Sequence, residues 1–332
     1  MRLALPPTID AAAFAACEPA ALVFDLHGET MGTTWSVRFA GAAGTDTAPL
    51  RQSIVARLAE LVREMSHWLP GSVLSRFNRS AAGSWTTLPS DFAHVMARGL
   101  AIAETTRGAF DPAIGKLVDT WGFGPVAAPG PPTDADIQGA SAMSGWSWLT
   151  LVPAGRSAGV SPRAHLHQPG GIALDLSGIA KGHAVDVVAD LLRRAGITNA
   201  LVEIGGELVG RGIRPDGDPW WVDLETPPGT TVVPLRIALH GLAVATSGDY
   251  RRGEHTIDPR TGHPIETGVV SASVIHATAL DADAWATALT VLGPVDGLNL
   301  ARDHGIAARL ITTVDAETRE YLSPALFAML DE

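Results

Sequence analysis

The order of strand-like segments constrains the fold of this chain more than any other feature. Five short segments rich in β-prone and apolar residues follow one another with no helical pattern between them. They are Ala200–Ile204, Glu207–Ile213, Trp220–Leu224, Leu235–Leu239 and Val269–Ile275. Because these strands cluster instead of alternating with helices, the sequence predicts an α+β fold rather than a doubly wound parallel sheet.

Helical periodicity lies on either side of this block. The predicted helices are Pro49–Met65, a helix capped by Ser90 that stops at Gly108, a helix from Ser177 to Arg194, and Asp281–Leu292, which ends at Gly293 before a shorter helix. Two strands are expected between Phe24 and Phe39, around a turn near Gly28 to Gly32. The apolar run Ile172–Leu176 predicts a further strand, which leads directly into the helix at Ser177.

Length and composition indicate one large domain or two packed ones. The chain has 332 residues, of which 46% are hydrophobic, enough for a substantial core at a size where single cores stop growing. We expect residues 1–20 to be an N-terminal extension and residues 21–332 to be one folded unit. A polar, Gly- and Pro-rich stretch suggests a subdomain boundary near residues 156–171.

Charge and cysteine content exclude several classes of protein. The net charge is −11, with 35 acidic and 24 basic residues and no basic run, which argues against a nucleic-acid partner. No stretch approaches the ~20 apolar residues of a membrane helix, so we expect no transmembrane segment. Cys17 is the single cysteine, which excludes an internal disulfide and a cysteine-cluster metal site.

The N-terminal residues bear on the compartment. Ala11–Ala16 are small and apolar and precede Cys17, a faint likeness to a lipoprotein signal. Pro6, Pro7 and Asp10 interrupt the apolar core that such a signal needs. The sequence therefore favours a cytoplasmic protein, with a periplasmic or Cys17-anchored protein as the alternative.

The segment from Leu174 to Gly182 combines a strand-to-helix turn with a lysine. A helix N-terminus attracts phosphate groups through its unpaired N–H groups and its dipole. Lys181, one of only two lysines in the chain, would add positive charge toward a pyrophosphate. The alternative is an ordinary helix with Ser177 as its N-cap and Lys181 in solvent.

The segment from Asp281 to Thr287 carries oxygen ligands at helical spacing. Asp283 and Thr287 lie four residues apart and so share one helix face, and Mg²⁺ takes carboxylate, hydroxyl and carbonyl oxygens. Alternatively, the acidic residues complement the helix dipole, and Thr287 bonds the carbonyl four residues earlier.

The segment from His255 to Gly262 places a histidine before a tight Asp-Pro turn. A histidine is the side chain best suited to act as a general base near neutral pH. His255 is therefore the candidate base, with Asp249 or Asp258 as less favoured candidates, although a structural histidine is an equally simple interpretation.

Further segments are weak one by one but occur in a recognisable order. They are Met31-Gly32-Thr33-Thr34-Trp35, Trp68, Leu74-Ser75-Arg76-Phe77-Asn78, Gly108-Ala109-Phe110-Asp111-Pro112, the Gly205-Gly206 pair and Thr246-Ser247-Gly248. Together with the three segments above, from about Gly28 to Ala308, they resemble the FAD:protein FMN transferases, the ApbE-like flavin transferase family.

This resemblance implies a fold, an activity and a set of site residues. The implied fold is of the ApbE type, with two packed α/β subdomains around a deep FAD cleft. The implied enzyme uses Mg²⁺ to cleave FAD, releases AMP, and attaches FMN through its phosphate to a Thr or Ser hydroxyl in the flavinylation motif of an acceptor flavoprotein. The implied FAD contacts are Met31, Trp68, Ala109, Phe110, Asp111, Asp175, Lys181 and Ile257.

The implied magnesium ligands are the backbone carbonyl of Gly178 and the side chains of Asp283 and Thr287. Two alternatives stay open at this point. One is a Mg²⁺-dependent FAD pyrophosphatase that yields FMN and AMP, and the other is a flavin-binding protein without turnover.

Overall fold

The computed structural model confirms the α+β class. It describes residues 1–9, 11–15, 18–125, 128, 130–155, 163–248, 255–315 and 317–331. Cys17, the candidate base Asp249 and the first part of the predicted subdomain boundary lie outside the described residues. The anchor and the boundary therefore stay predictions.

The helices cover both ends and the middle of the chain. They are α1 (Ala11–Ala15), α2 (Ala48–Met65), α3 (Val73–Asn78), α4 (Ser90–Thr105), α5 (Gly115–Thr120), α6 (Asp134–Ser141), α7 (Ala180–Arg194), α8 (Ala279–Asp303) and α9 (Pro324–Phe327). None of the helices in the described part of the chain combines the length and hydropathy that crossing a bilayer requires.

The strands are short and mostly antiparallel. They are β1 (Arg2–Ala4), β2 (Leu22–Thr30), β3 (Thr33–Gly41), β4 (Trp85–Thr87), β5 (Thr150–Val152), β6 (His165–His167), β7 (Ala200–Ile204), β8 (Glu207–Arg211), β9 (Trp220–Asp223), β10 (Leu235–Leu239), β11 (Leu242–Ser247), β12 (Val269–His276), β13 (Ala307–Val314) and β14 (Glu317–Leu322). The predicted strands between residues 24 and 39 and between residues 200 and 275 are confirmed to within a few residues.

The chain divides into two compact units. The large-sheet unit comprises Met1–Leu58, Lys181–Arg251 and Thr267–Glu332. It contains an eight-stranded sheet in the order β14-β13-β12-β11-β8-β7-β3-β2 and a three-stranded sheet in the order β1-β10-β9. The small-sheet unit comprises Ala59–Ala180 and Arg252–Glu266, and it contains the sheet β4-β6-β5.

The N-terminal residues take part in the large-sheet unit. Arg2–Ala4 pairs in parallel with β10, and the Arg2 guanidinium bonds the carboxylate of Glu320. Ala4 is fully buried. The start of the predicted extension is therefore packed into this unit.

The predicted strand Ile172–Leu176 is wrong. No strand pairs with it, because its backbone groups bond side chains and loops instead. The amide of Asn78 exchanges two hydrogen bonds with the backbone of Leu174, at 2.8 and 3.0 Å. The N–H of Asp175 donates to the carbonyl of Pro112 at 3.0 Å.

Two helix starts also differ from the prediction. The helix expected at Ser177 begins at Ala180, because the Ser177 N–H donates to the Asp175 carboxylate at 2.8 Å in a turn. Pro89, not Ser90, is the N-cap of α4. Thr246 and Ser247 of the Thr246-Ser247-Gly248 segment lie at the end of β11.

The predicted stop at Gly293 is a kink in the structure. Gly293 has φ 77° and ψ −178°, which is non-helical, and Pro294 follows it within α8. A positive φ of this size suits glycine, and proline cannot supply the N–H that would continue the helix. The two residues therefore divide α8 into the longer and shorter helices that the sequence predicts.

Helices α7 and α8 of the large-sheet unit meet at Gly182. A Cβ on Gly182 would lie 2.1 Å from the carbonyl oxygen of Ala279, so only glycine permits this approach. The Asp186 carboxylate of α7 then accepts the backbone N–H groups of Ala279 and Leu280, at 2.9 Å each. Asp186 thus satisfies donors at the N-terminus of α8 that its first turn leaves unpaired.

Asp186→Ala should destabilise the protein by about 2–4 kcal/mol, because two buried N–H groups lose their acceptor. Urea denaturation followed by circular dichroism measures the effect. Asp190→Ala is the matched control, since Asp190 is an exposed residue of the same helix and pairs with Arg193 on the surface. Equal stabilities of the two variants would contradict this role of Asp186.

Candidate functional site

A buried charged cluster lies in the large-sheet unit at the start of α7. The Lys181 ammonium bonds the carboxylate of Glu207, which begins β8 and is 2% exposed. Asp283 of α8 is 3% exposed, and its Oδ2 accepts the Gly182 N–H at 3.0 Å. The close approach at Gly182 therefore brings Asp283 to the first turn of the helix that carries Lys181.

The electrostatics of this cluster favour a further cation. Burial raises the pKa of Glu207 to about 7, with Lys181 lowering it and Asp283 raising it. Burial also raises the pKa of Asp283, against the opposing effects of Lys181 and the Gly182 N–H. Two buried carboxylates thus share one ammonium. Glu207 Oε2 is buried and has no hydrogen-bond partner among the described residues.

Hydroxyl groups lie on the same helix as Asp283. The Thr287 Oγ1 is 3.2 Å from the Ser247 Oγ at the end of β11. Thr290 on the next turn instead donates to the carbonyl four residues earlier, at 2.9 Å. The Thr287 oxygen therefore faces β11. Because Thr287 lies one helical turn after Asp283, the two side chains are on the same face of α8 and could bind one metal ion together.

The donor set fits magnesium better than a transition metal. Within the described ranges, no three His, Cys, Asp or Glu side chains come together around a possible metal position. A metal here would be held by one carboxylate together with hydroxyl and carbonyl oxygens, a hard-oxygen set that suits Mg²⁺. Gly178 belongs to the small-sheet unit, where it is half-buried in the turn before α7.

A second group of polar side chains lies in the small-sheet unit around Asp175. The Asp175 Oδ1 accepts the Ser177 N–H at 2.8 Å, and its Oδ2 is 3.2 Å from the His67 Nδ1. Trp68, the next residue, is 63% exposed, and its ring lies 5.4 Å from that of His67. An exposed indole of this kind offers an apolar face to a planar ligand.

The predicted contacts at residues 109–111 are built into the core of the small-sheet unit. The side chains of Ala109 and Phe110 are buried. The Asp111 carboxylate accepts the N–H groups of Ala113 and Trp146, at 2.7 and 3.0 Å. Asp111 therefore ties two loops together, and this segment has chiefly backbone atoms to offer a ligand.

Asp111 should make stability depend on pH, because burial raises its pKa from 3.8 to about 6 against the two N–H contacts. The folded state then holds the proton more tightly than the unfolded state. The resulting stabilisation is present below pH ~4 and is lost as the pH rises to ~6, by up to about 3 kcal/mol.

The unfolding free energy of wild type minus that of Asp111→Asn, measured by urea denaturation across this range, should fall with rising pH. Parallel curves would contradict the shift.

The residues around the candidate base occupy a hairpin-like turn in the small-sheet unit. The Gly262 N–H donates to the Asp258 carbonyl at 2.8 Å, and the Trp121 indole N–H donates to the Gly262 carbonyl at 2.8 Å. His255 is half-buried, with its ring edge-on to Phe123 at 6.5 Å. His255 therefore lies just before a turn that is held by backbone hydrogen bonds and by Trp121.

The remaining predicted site residues near His255 and in the β2–β3 turn differ in their burial and contacts. The Asp258 carboxylate is already paired with the Arg260 guanidinium at 2.8 Å. Ile257 is buried with Leu117 and Ile137. Met31, in the large-sheet unit, has φ 50° in the turn between β2 and β3 and is half-buried.

Three side chains of these groups were not singled out by the sequence: Glu207, His67 and Asp186. Glu207 lies beside the Gly205-Gly206 pair, but its partner Lys181 is 26 residues away. No local sequence pattern indicates a contact between residues so far apart in the chain. An acidic residue at the start of an apolar, strand-like segment was the one available signal.

Comparisons with known proteins find relatives that match nearly the whole chain. The model of the ApbE family matches residues 31–310. The FAD:protein FMN transferase of Vibrio cholerae serotype O1 is 36% identical over 96% of this chain and 96% of its own. The solved flavin transferase ApbE from V. cholerae superposes with a TM-score of 0.84 at 36% identity, over 93% of this chain and 99% of that one.

A second solved structure, the apo flavinyl transferase ApbE of Pseudomonas stutzeri, also gives a TM-score of 0.84. It is 34% identical over 93% of this chain and 97% of its own.

Proposed function

The chain belongs to the ApbE family, and on that premise we propose that it is an FAD:protein FMN transferase. It cleaves the pyrophosphate of FAD, joins FMN through its phosphate to a Thr or Ser hydroxyl of an acceptor protein, and releases AMP. The observation that carries the proposal is the Lys181–Glu207–Asp283 cluster, in which two buried carboxylates with raised pKa values share one ammonium, so that a bound cation would stabilise their charged forms.

Asp283, Thr287 and the Gly178 carbonyl are the proposed magnesium ligands. Mg²⁺ bound there would neutralise the charge that develops on the phosphate oxygens as AMP departs. The low exposure of Asp283 supports this role, since a carboxylate shielded from water interacts more strongly with a cation.

The protein's own groups account for the other steps. Lys181, in the first turn of α7, adds positive charge toward the pyrophosphate, and the helix N-terminus acts in the same sense. His255 takes the proton of the acceptor hydroxyl as its oxygen attacks the FMN phosphorus. The bond to the bridging oxygen breaks, and that oxygen leaves with AMP.

We propose that the FAD contacts are those implied by the family motifs. They are Met31, Trp68, Ala109, Phe110, Asp111, Asp175, Lys181 and Ile257. Trp68 is best placed to cover a planar ring because its indole is exposed. Ala109 and Phe110, whose side chains are buried, would contribute backbone atoms.

The acceptor is a flavoprotein with a Thr or Ser in a flavinylation motif, and the proposed compartment is the cytoplasm. Hydrolysis of FAD to FMN and AMP uses the same residues, with water in place of the acceptor hydroxyl. The names of the relatives favour transfer.

The test combines the purified protein with FAD, Mg²⁺ and a small acceptor domain carrying such a Thr. Transfer predicts flavin fluorescence on the acceptor band after denaturing electrophoresis, and no signal when that Thr is replaced by Ala. Free FMN and AMP without a labelled acceptor would indicate a pyrophosphatase instead. Absence of both products would refute an enzymatic role.

A further inference from the structure

The His67 ring of the small-sheet unit has one bound and one unbound nitrogen. Its Nδ1 is 3.2 Å from the Asp175 Oδ2. Its Nε2 is buried and has no hydrogen-bond partner among the described residues. Leaving a buried polar atom without a partner is unfavourable, so a group that satisfies Nε2 only in the bound state would gain affinity.

The chemistry of that group follows from the tautomer. A carboxylate only accepts hydrogen bonds, so the hydrogen of a neutral His67 ring lies on Nδ1, facing Asp175. Nε2 then carries a lone pair and accepts. The matching ligand group is therefore an N–H or O–H donor.

The surroundings of the ring point to the edge of a planar ligand. Trp68 presents an exposed indole beside His67, which suits stacking against an aromatic ring system. The turn that carries both residues is held in place, since the Ser75 hydroxyl donates to the His67 carbonyl at 3.3 Å. Asp175 is also fixed, because its second oxygen accepts the Ser177 N–H.

We propose that His67 and Asp175 act as one recognition unit, in which Asp175 orients the imidazole and Nε2 accepts a hydrogen bond from a ring-edge N–H of FAD. This inference rests on the proposed function, since it takes FAD as the ligand. Both the flavin ring and the adenine ring carry such a donor. His67 is thus a binding residue, and Asp175, besides the FAD contact that the family motifs imply, positions its ring.

Two substitutions separate the two nitrogens. His67→Asn keeps an N–H donor close to Asp175 but removes the acceptor at Nε2. His67→Gln keeps an acceptor farther along the side chain but loses the Asp175 contact. His94→Asn is the matched control, because His94 lies on the exposed face of α4.

The measurement is the Kd for FAD by isothermal titration calorimetry without Mg²⁺, so that no turnover contributes. His67→Asn should weaken binding by about 5- to 100-fold, and His67→Gln should bind more tightly than His67→Asn. His94→Asn should match wild type. Thermal melts of the ligand-free proteins, expected to agree within a few degrees, check that each variant folds.

Titrations with FMN and with ADP identify the ring. A loss of affinity of His67→Asn for FMN alone would assign the donor to the flavin, and a loss for ADP alone would assign it to the adenine. Wild-type affinity of His67→Asn for FAD would overturn the inference, as would tighter binding by His67→Asn than by His67→Gln. Failure of wild type to bind FAD would instead overturn the proposed function.

Discussion

Asp283→Asn is expected to reduce flavin transfer by at least about 100-fold while leaving much of the FAD binding intact. The amide oxygen can still accept the N–H of Gly182, as the carboxylate does now at 3.0 Å, so the packing of α7 against α8 is preserved. What is lost is the buried negative charge that would hold a divalent cation. Removing such electrostatic stabilisation costs several kcal/mol in the transition state.

Initial rates at increasing Mg²⁺ concentrations measure this effect, and FAD binding is measured separately. Asp296→Asn provides the same substitution at an exposed position of α8 and should behave as wild type. Asp283→Ala should be as inactive as Asp283→Asn. Full activity of either Asp283 variant, with an unchanged Mg²⁺ requirement, would contradict the proposed ligand.

Lys181→Met is expected to lower both stability and activity. Lys181 is the ammonium that compensates two buried carboxylates. Removing one partner of a buried ion pair leaves uncompensated charge and costs about 3–5 kcal/mol. The loss of positive charge near the pyrophosphate should also lower the transfer rate by about 100-fold.

The double variant Lys181→Met/Glu207→Gln separates these two effects. Once Glu207 loses its charge, part of the lost stability should return, because one of the two uncompensated carboxylates is gone while Asp283 keeps its charge. Activity should stay low, since no ammonium is restored. Urea denaturation of the metal-free proteins and transfer assays provide the two measurements.

Lys116→Met is a natural comparison, since Lys116 is the only other lysine and lies outside this cluster. Its stability should stay within about 1 kcal/mol of wild type. If Lys181→Met were equally harmless, or if the double variant were no more stable than the single one, the coupling between Lys181 and Glu207 would be refuted.

Local sequence patterns predicted the regular elements well, because each depends on residues close in the chain. The strand Ala200–Ile204 and the helix ending at Met65 show this. The break at Gly293 was also predictable, since glycine and the following proline act on the backbone directly. These signals need no knowledge of the tertiary structure.

The error at Ile172–Leu176 has the opposite origin. Its apolar residues are buried as a strand's would be, but the Asn78 amide takes the place of a neighbouring strand at Leu174. The predicted helix start at Ser177 was wrong because the Ser177 N–H donates to the Asp175 carboxylate in a turn, and the helix begins at Ala180. The Asn78 side chain bonds backbone groups 96 residues away, and a contact of that kind leaves no periodic pattern in the sequence.

The candidate site was predictable only in part for the same reason. Asp283 and Thr287 were recognisable because helical spacing places them on one face. Glu207 and His67 acquire their roles from partners 26 and 108 residues away, so only the folded chain reveals them. The resemblance to a family supplied residue types in order, and the structure supplied their pairing.

The stoichiometry of the reaction tests the central claim most directly. Intact-mass spectrometry counts acceptor molecules that have gained FMN, and chromatography counts the AMP released in the same reaction. A transferase predicts one AMP for each flavinylated acceptor, with neither product formed without Mg²⁺. AMP released in large excess over flavinylated acceptor, or an acceptor of unchanged mass, would contradict FMN transfer.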